Sequence, residues 1–290
     1  MESYTFMSIR VVSFNINSLR ARQHQLAAIV ETYHPDVIAL QETKVDDEQF
    51  PQDEIHALGY QPHFFGQKGH YGVAMLTRTT PTWVIKGFPA DGAEAQRRWI
   101  GCALPQTNGR TLVVWNGYFP QGESRHHPLK FPCKQRFYAD LQQFLQPYLQ
   151  QDIDVVVTGD FNIGPQAQDV GIGEANEKRW LSSGKCCFLP EERQWFADTL
   201  KLGLYDTYRH QYPEERVYSW FDYRSRGFED EPKRGLRIDF VLANPALLAR
   251  TLATGIDHQI RGMDKPSDHC PVWAEFSGEL VGAPIAFIAP

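Results

Sequence analysis

DVVVTGDFNIG, residues 154–164, runs from three consecutive valines straight into Gly159, Asp160, Asn162 and Gly164. A short β-branched run bounded by turn-forming residues reads as a strand buried on both faces. Asp160 and Asn162 then stand at its end, where a strand still fixes the side chain while the following loop opens space for a ligand. VVSFNIN, residues 11–17, is a weaker internal echo of the same pattern, a Val-rich strand entering a Phe-Asn turn.

Working outward, RVVSFNI, DVIALQE, GVAMLTR, RTLVVWNGYF, LRIDFVLA and CPVWAEF are apolar runs of the same kind. Helical spacing connects Leu26, Ile29, Val30 and Tyr33, and again Phe137, Leu141, Phe144, Leu145 and Tyr148. Strands follow one another from about residue 60 to 119 rather than alternating strictly with helices, which predicts an α+β fold of two packed mixed β-sheets flanked by helices. Pro and Gly are spread as turn punctuation, with no linker between the halves, so one domain over residues 8–277 is expected. Residues 1–7 and 278–290 read as terminal extensions.

The 290 residues are 42 % hydrophobic and 22 % charged, the balance of a globular protein with a sizeable core. Five cysteines, odd in number and scattered, fit a reducing compartment. The amino-terminal residues lack a signal-peptide pattern, and no stretch approaches the ~18 apolar residues of a membrane helix. A cytoplasmic location without membrane contact is the expectation. A formal charge of −6 argues against a surface that coats nucleic acid everywhere, but allows a local basic patch.

Polar residues close the apolar strands at Asn15 and Asn17, Glu42, Asp160 and Asn162, Asp239, and Asp268 with His269. Each alone has an ordinary reading: turn chemistry for the asparagines, a surface charge for Glu42, a satisfied structural ring for His269. Together they form an oxygen-rich set with one imidazole. That composition suits Mg²⁺ or Mn²⁺ and phosphate chemistry, whereas zinc-site spacings are missing.

NIN, QETK, NGYFPQGES, GDFNI, GLRID and SDHCPVW also occur in the order and spacing of one family, and over Ile9 to Phe276 the sequence closely resembles exonuclease III. GQKGHYGVA, GKCCFLPEER and YSWFDYRSRGF point to that branch of the endonuclease/exonuclease/phosphatase superfamily rather than to its lipid or nucleotide phosphatases. The resemblance implies a deoxyribonuclease-like four-layer α/β sandwich. It implies Glu42 as principal metal ligand, with Asn15, Asp160, Asn162, Asp268 and His269 around the ion, and Tyr118, Asp160, Asn162, Asp239 and His269 as catalytic groups. Asp160 is placed as general base with Asn162 orienting the water, Asp239 as the partner of His269, and Tyr118 facing the phosphate; whether Asp160 or His269 is the base stays open.

YSWFDYRSRGFEDEPKRGLRID interleaves Trp220, Phe221 and Tyr223 with Arg224, Arg226, Lys233, Arg234 and Arg237, aromatics to stack and cations to hold phosphates. The resemblance implies that Trp220, Leu236 and Ile238 wall a pocket for a base-free sugar, with Asn17, Arg98, Gln121 and Lys130 as further substrate contacts. The implied protein is a monomeric DNA-repair nuclease. It would cut duplex DNA 5′ to abasic sites, degrade 3′ ends and remove 3′ blocking groups, including phosphate. A superfamily phosphatase of small or lipid phosphoesters is the alternative. Two departures lie near the expected site, Ser18 after NIN and the longer DEPKRG loop. Met7 is the expected equivalent of the family's start.

Overall fold

The computed structural model of the protein describes residues 7–282. Residues 1–6 and 283–290, most of the two expected extensions, lie outside the described residues. The strands are β1 (Ser8–Asn15), β2 (Val37–Gln41), β3 (Gln61–Phe65), β4 (Val73–Thr77), β5 (Trp83–Lys86), β6 (Trp99–Pro105), β7 (Thr111–Tyr118), β8 (Asp154–Asp160), β9 (Tyr205–Asp206), β10 (Asp239–Ala243), β11 (Thr251–Ile256) and β12 (Val272–Ser277). The helices are α1 (Gln23–Tyr33), α2 (Gln52–Ala57), α3 (Lys130–Leu149), α4 (Glu174–Ser183), α5 (Pro190–Leu200), α6 (Thr207–Gln211), α7 (Pro245–Leu248) and α8 (His258–Arg261).

Two six-stranded sheets result, in the orders β11-β12-β1-β2-β4-β3 and β5-β6-β7-β8-β10-β9. Each contains one parallel pair, β1 with β2 and β7 with β8, among antiparallel neighbours. The mixed character follows from the connections: β3 with β4 and β5 to β7 are joined directly and pair antiparallel, whereas α1 between β1 and β2 and α3 between β7 and β8 carry the chain across to give the two parallel pairs.

Alternation along the strands sorts the apolar residues into three layers. Val11, Val37, Ala39 and Val73 meet Cys102, Val114, Val156 and Val241 between the sheets. Val12, Phe14, Ile38 and Leu40 face outward onto Leu26, Ile29, Val30, Ile55 and Ile260 of the helices on that side. Trp115, Val155, Val157 and Phe240 face outward onto Phe137, Tyr138, Leu141, Leu145 and Phe196. The order helix, sheet, sheet, helix is the expected four-layer arrangement.

The described part of the tail is attached. Leu280 is 8 % exposed within the inter-sheet core, and the Val281 amide donates to the Pro105 carbonyl. Leu236 to Ile238, expected to start the LRIDFVLA strand, instead lie ahead of β10, and Leu236 forms bridges with Val170 and Trp220.

Candidate active site

The same period of two that builds the inter-sheet core also builds the site. Asn116, Thr158 and Ser13 sit two residues before Tyr118, Asp160 and Asn15, so the inward-facing row turns from apolar to polar as the strands approach one rim. In the second sheet Tyr118 is paired with Asp160, and Asp160 with Asp239, so three expected site residues form one cross-strand row. In the first sheet Asn15 pairs with Gln41, immediately before Glu42. Gly159 sits at φ 139°, and a Cβ there would lie 2.0 Å from the Gly117 carbonyl oxygen. Only glycine allows β7 and β8 to approach that closely just before Asp160.

The rims converge on one cluster. Ligand atoms of Glu42, Asp160 and His269 all lie within 4.8 Å of one another. Asn15 Nδ2 donates to both Glu42 Oε1 and Asp160 Oδ2 at 3.0 Å, tying a carboxylate from each sheet. Asn162 donates its backbone N–H to Asp160 Oδ1 at 3.0 Å and its side-chain amide to Asp160 Oδ2 at 3.1 Å. Asp239 accepts from His269 Nδ1 at 2.9 Å, while Nε2 lies 3.8 Å from Asp160 Oδ2. With Nδ1 committed to Asp239, Nε2 is the nitrogen turned to the cluster.

Asn15, Asn162 and Asp268, expected beside the ion, border this cluster through hydrogen bonds. The Asn15 side-chain oxygen Oδ1 accepts from the Asn17 backbone N–H, and Asp268 accepts from Asn17 Nδ2 at 2.9 Å and Trp220 Nε1 at 3.0 Å. Glu42, Asn17 and Asn162 all have positive φ, of 50°, 46° and 54°. Asparagine tolerates that region; for Glu42 it is strain held by the surrounding bonds.

Charge state follows from burial set against neighbours. Burial raises the Asp160 pKa, the Asp239 and Glu42 charges add to it against the opposing pull of His269, and it reaches about 7. Burial alone lowers the His269 pKa, but the charges of Asp239 and Asp160 outweigh it and raise it to about 10. Glu42 is held below its ordinary value, since Lys44 and Asn15 overcome the opposing effect of burial. Tyr118 is pushed well above its ordinary value by burial and by the Glu42 charge, which keeps its hydroxyl protonated.

Two residues of this site were not singled out from the sequence. Lys44 Nζ lies 2.9 Å from Glu42 Oε2 and donates to Asn17 Oδ1 at 2.6 Å. Ser219 Oγ donates to Asp239 Oδ2 at 2.6 Å and accepts from the Ile238 and Asp239 amides. Both lie inside QETK and YSWFDY, blocks read for a carboxylate and for aromatics, so their positions were in view but their partners were not.

The expected substrate contacts divide. Trp220 is half-buried and packs with Ile172 and Trp180 against Val170, Phe188, Leu236 and Ile238. Leu236 and Ile238, at 1 % and 2 % exposure, back Trp220 from within rather than facing solvent. The Arg98 guanidinium lies 4.2 Å from the Tyr71 ring and 4.6 Å from the Tyr118 ring and donates to the Tyr118 carbonyl, so it orders Tyr118. Gln121 and Lys130 are exposed; the Gln121 amide reaches Cys187 Sγ beside Asn162, whereas Lys130 pairs with Glu123.

Two residues of the aromatic-basic segment do not behave as expected. Phe221 is fully buried, and Arg237 is 1 % exposed with its charge matched by Asp169 and Asp206. Leu236, Arg237 and Ile238 are all buried, so the chain is packed on both sides there and carboxylates of the body, not a surface phosphate, meet the Arg237 charge.

The profile of the endonuclease/exonuclease/phosphatase family matches residues 12–269. The chain is 53 % identical over 269 residues to the exodeoxyribonuclease III of Haemophilus influenzae, covering 92 % of this chain and 100 % of that protein. It is similar in structure to a 3′ phosphatase, NExo, from Neisseria bound to a product DNA hairpin, with a TM-score of 0.83, 35 % identity and coverage of 92 % and 99 % of the two chains. An AP endonuclease from Archaeoglobus fulgidus matches with a TM-score of 0.83 and 32 % identity over 92 % of this chain and 99 % of that one. Shared fold, matched length and identity together establish that the chain belongs to the endonuclease/exonuclease/phosphatase family and, within it, to the exonuclease III group.

Proposed function

We propose that this protein is a DNA-repair nuclease that hydrolyses phosphoester bonds at 3′ oxygens of duplex DNA, incising 5′ to abasic sites and trimming or unblocking 3′ ends. The carrying observation is the convergence of Glu42, Asp160 and the Asp239–His269 pair at one rim of the two sheets. It supports the reading because one such site serves every reaction in which water displaces a 3′ oxygen from phosphorus.

The two carboxylates of the cluster, Glu42 and Asp160, fit a hard divalent ion. Glu42, with Asp160 beside it, would hold Mg²⁺ or Mn²⁺, which when bound supplies Lewis-acid polarisation of a phosphoryl oxygen and offsets charge on the leaving 3′ oxygen, while the charged His269 stands next to the ion as a donor to phosphate and not as a ligand. Asp160, oriented by both amides of Asn162, accepts the proton of the attacking water. His269, charged and fixed by Asp239, donates from Nε2 to a non-bridging phosphate oxygen as negative charge grows there. The protonated Tyr118 hydroxyl is a second donor to the same group.

Trp220 gives the pocket its stacking face, and a sugar without a base reaches that face at the lowest unstacking cost. The protein acts as a monomer in the cytoplasm in this reading; among the described residues no helix is long and apolar enough to cross a membrane.

The test is one panel of labelled duplexes, blunt, recessed, nicked with a 3′ phosphate, and carrying an abasic site, assayed with Mg²⁺, with Mn²⁺ and with chelator. Metal-dependent cleavage of the abasic and 3′-blocked duplexes is expected. Turnover of a small phosphomonoester with none of any duplex would overturn the proposal in favour of a phosphatase.

A further inference from the structure

Behind the Asn162 loop, buried between α3 and α5, lies a charge the reaction does not use. Lys134 of α3 and Glu192 of α5 are each 0 % exposed and meet at 2.6 Å. The Lys134 ammonium also donates to the backbone carbonyls of Asn162 at 2.8 Å and Gln121 at 3.2 Å. Three protons meet three acceptors, so the group is saturated and has no donor left for substrate. Glu192 is committed too, because its second oxygen accepts from the Leu189 amide at 2.8 Å.

We propose that Lys134, with Glu192 as its counter-ion, is a positioning residue for the catalytic step: it holds the Asn162 carbonyl, and with it the left-handed turn that presents Asn162 to Asp160. The inference rests on the assigned role of Asn162 in the reaction.

Stability alone is a poor account of this pair. A buried ion pair replaced on both sides by apolar groups is often neutral or stabilising, because two desolvation penalties disappear. What an apolar chain cannot do is grip carbonyls. Lys134 grips one in the loop after β8 and one in the loop after β7, and so joins the two segments that follow the parallel pair. Asn162 is a non-glycine residue at φ 54°, and a conformation of that kind persists only where its surroundings over-determine it. Its side-chain amide is divided between Asp160 Oδ2 and the Phe119 carbonyl and its backbone N–H is bound to Asp160 Oδ1, so the backbone oxygen is the point at which α3 holds the turn. Close packing completes the device: a Cβ on Gly122 would lie 3.0 Å from Lys134 Cδ and 2.9 Å from Cys186 Sγ, so the Gln121 loop is seated directly on the lysine stem.

The experiment compares the parent with Lys134→Met/Glu192→Gln, which removes both charges together and leaves no orphaned ion, with Asn162→Ala, and with Arg250→Met. The last breaks the ion pair with Asp154 at the opposite end of β8 and serves as a control for destabilisation. Unfolding midpoint, affinity for an abasic duplex, KM and kcat under saturating Mg²⁺ are measured for each. The double variant is expected to fold and bind with an unchanged KM, while kcat falls on the order of 10- to 100-fold, the loss that small misplacements of catalytic groups produce. Arg250→Met is expected to lower the midpoint and leave kcat intact. A folded double variant with parental kcat, beside an impaired Asn162→Ala, overturns the inference; parental kcat in Asn162→Ala overturns the underlying role instead. If the methionine variant does not fold, Lys134→Gln/Glu192→Gln is read against the same outcomes.

Discussion

His269 and Asp239 face each other across the seam between the two sheets, with Nδ1 2.9 Å from the carboxylate. Asp239 opens β10 in one sheet, and His269 stands just ahead of β12 in the other, so this pair closes the site as well as setting the imidazole tautomer.

The pair makes protonation measurable. In metal-free protein the His269 ring is expected to carry protons on both nitrogens at pH 8, since its pKa is raised to about 10. Its folded value lies above its unfolded value of 6.5, so the stabilisation it gives is complete below pH 6.5 and is lost as pH rises through about 10. Ring ¹⁵N shifts followed against pH check this, with Asp239→Asn expected to lower the titration midpoint. A neutral ring at pH 8 in the parent would remove its role as charged donor.

Asp160→Asn and His269→Ala are expected to retain affinity for abasic duplex while turnover drops by at least ~100-fold, from general-base and oxyanion-type contributions. Single-turnover rates beside binding isotherms separate the two effects. Near-normal turnover in either variant sinks that residue's assignment.

Glu42→Gln is expected to raise the Mg²⁺ concentration for half-maximal cleavage on the order of 10- to 100-fold or more, since even supporting groups at metal sites carry that much affinity. A metal titration at fixed duplex concentration reads the shift, and an unchanged midpoint would take Glu42 out of the ligand set.

Trp220→Ala removes the half-buried indole and its bond to Asp268. Cleavage of abasic duplex is expected to weaken by about 1–3 kcal/mol, the worth of one stacking contact. Equal rates for parent and variant on abasic and 3′-phosphate substrates would show that the indole faces no substrate.

Truncation after Ser277 should cost stability because Leu280 fills part of the inter-sheet core. Loss of about 1.5–3 kcal/mol is expected from exposing a leucine site, with kcat per folded molecule retained. Urea unfolding of the shortened chain gives the comparison.

Much of this architecture is legible in the sequence, because period-two apolar runs and helical stripes report burial directly. VVVTGDFN showed a buried strand delivering Asp160 and Asn162, and the same logic placed Asn15, Glu42, Asp239 and the Asp268–His269 pair at strand ends. What local pattern could not express is which neighbour a polar side chain chooses. Phe221 and Arg237 lie in a segment that looks like a nucleic-acid surface, yet the body claims them through an aromatic contact and two carboxylates distant in sequence. Lys44 and Ser219 were visible as residues but not as partners of Glu42 and Asp239.

The sequence by itself determined the strands, their inward faces and the residues able to do phosphate chemistry, because side-chain alternation and the hydrophobic effect act over a few residues. Tertiary structure alone decided that Glu42 and Asp160 share one amide of Asn15 across two sheets, and that Lys134, 28 residues from Asn162, holds its carbonyl. Hydrogen bonds and ion pairs act over a few ångströms between groups far apart in the chain, so they exist only once packing has brought the sheets together.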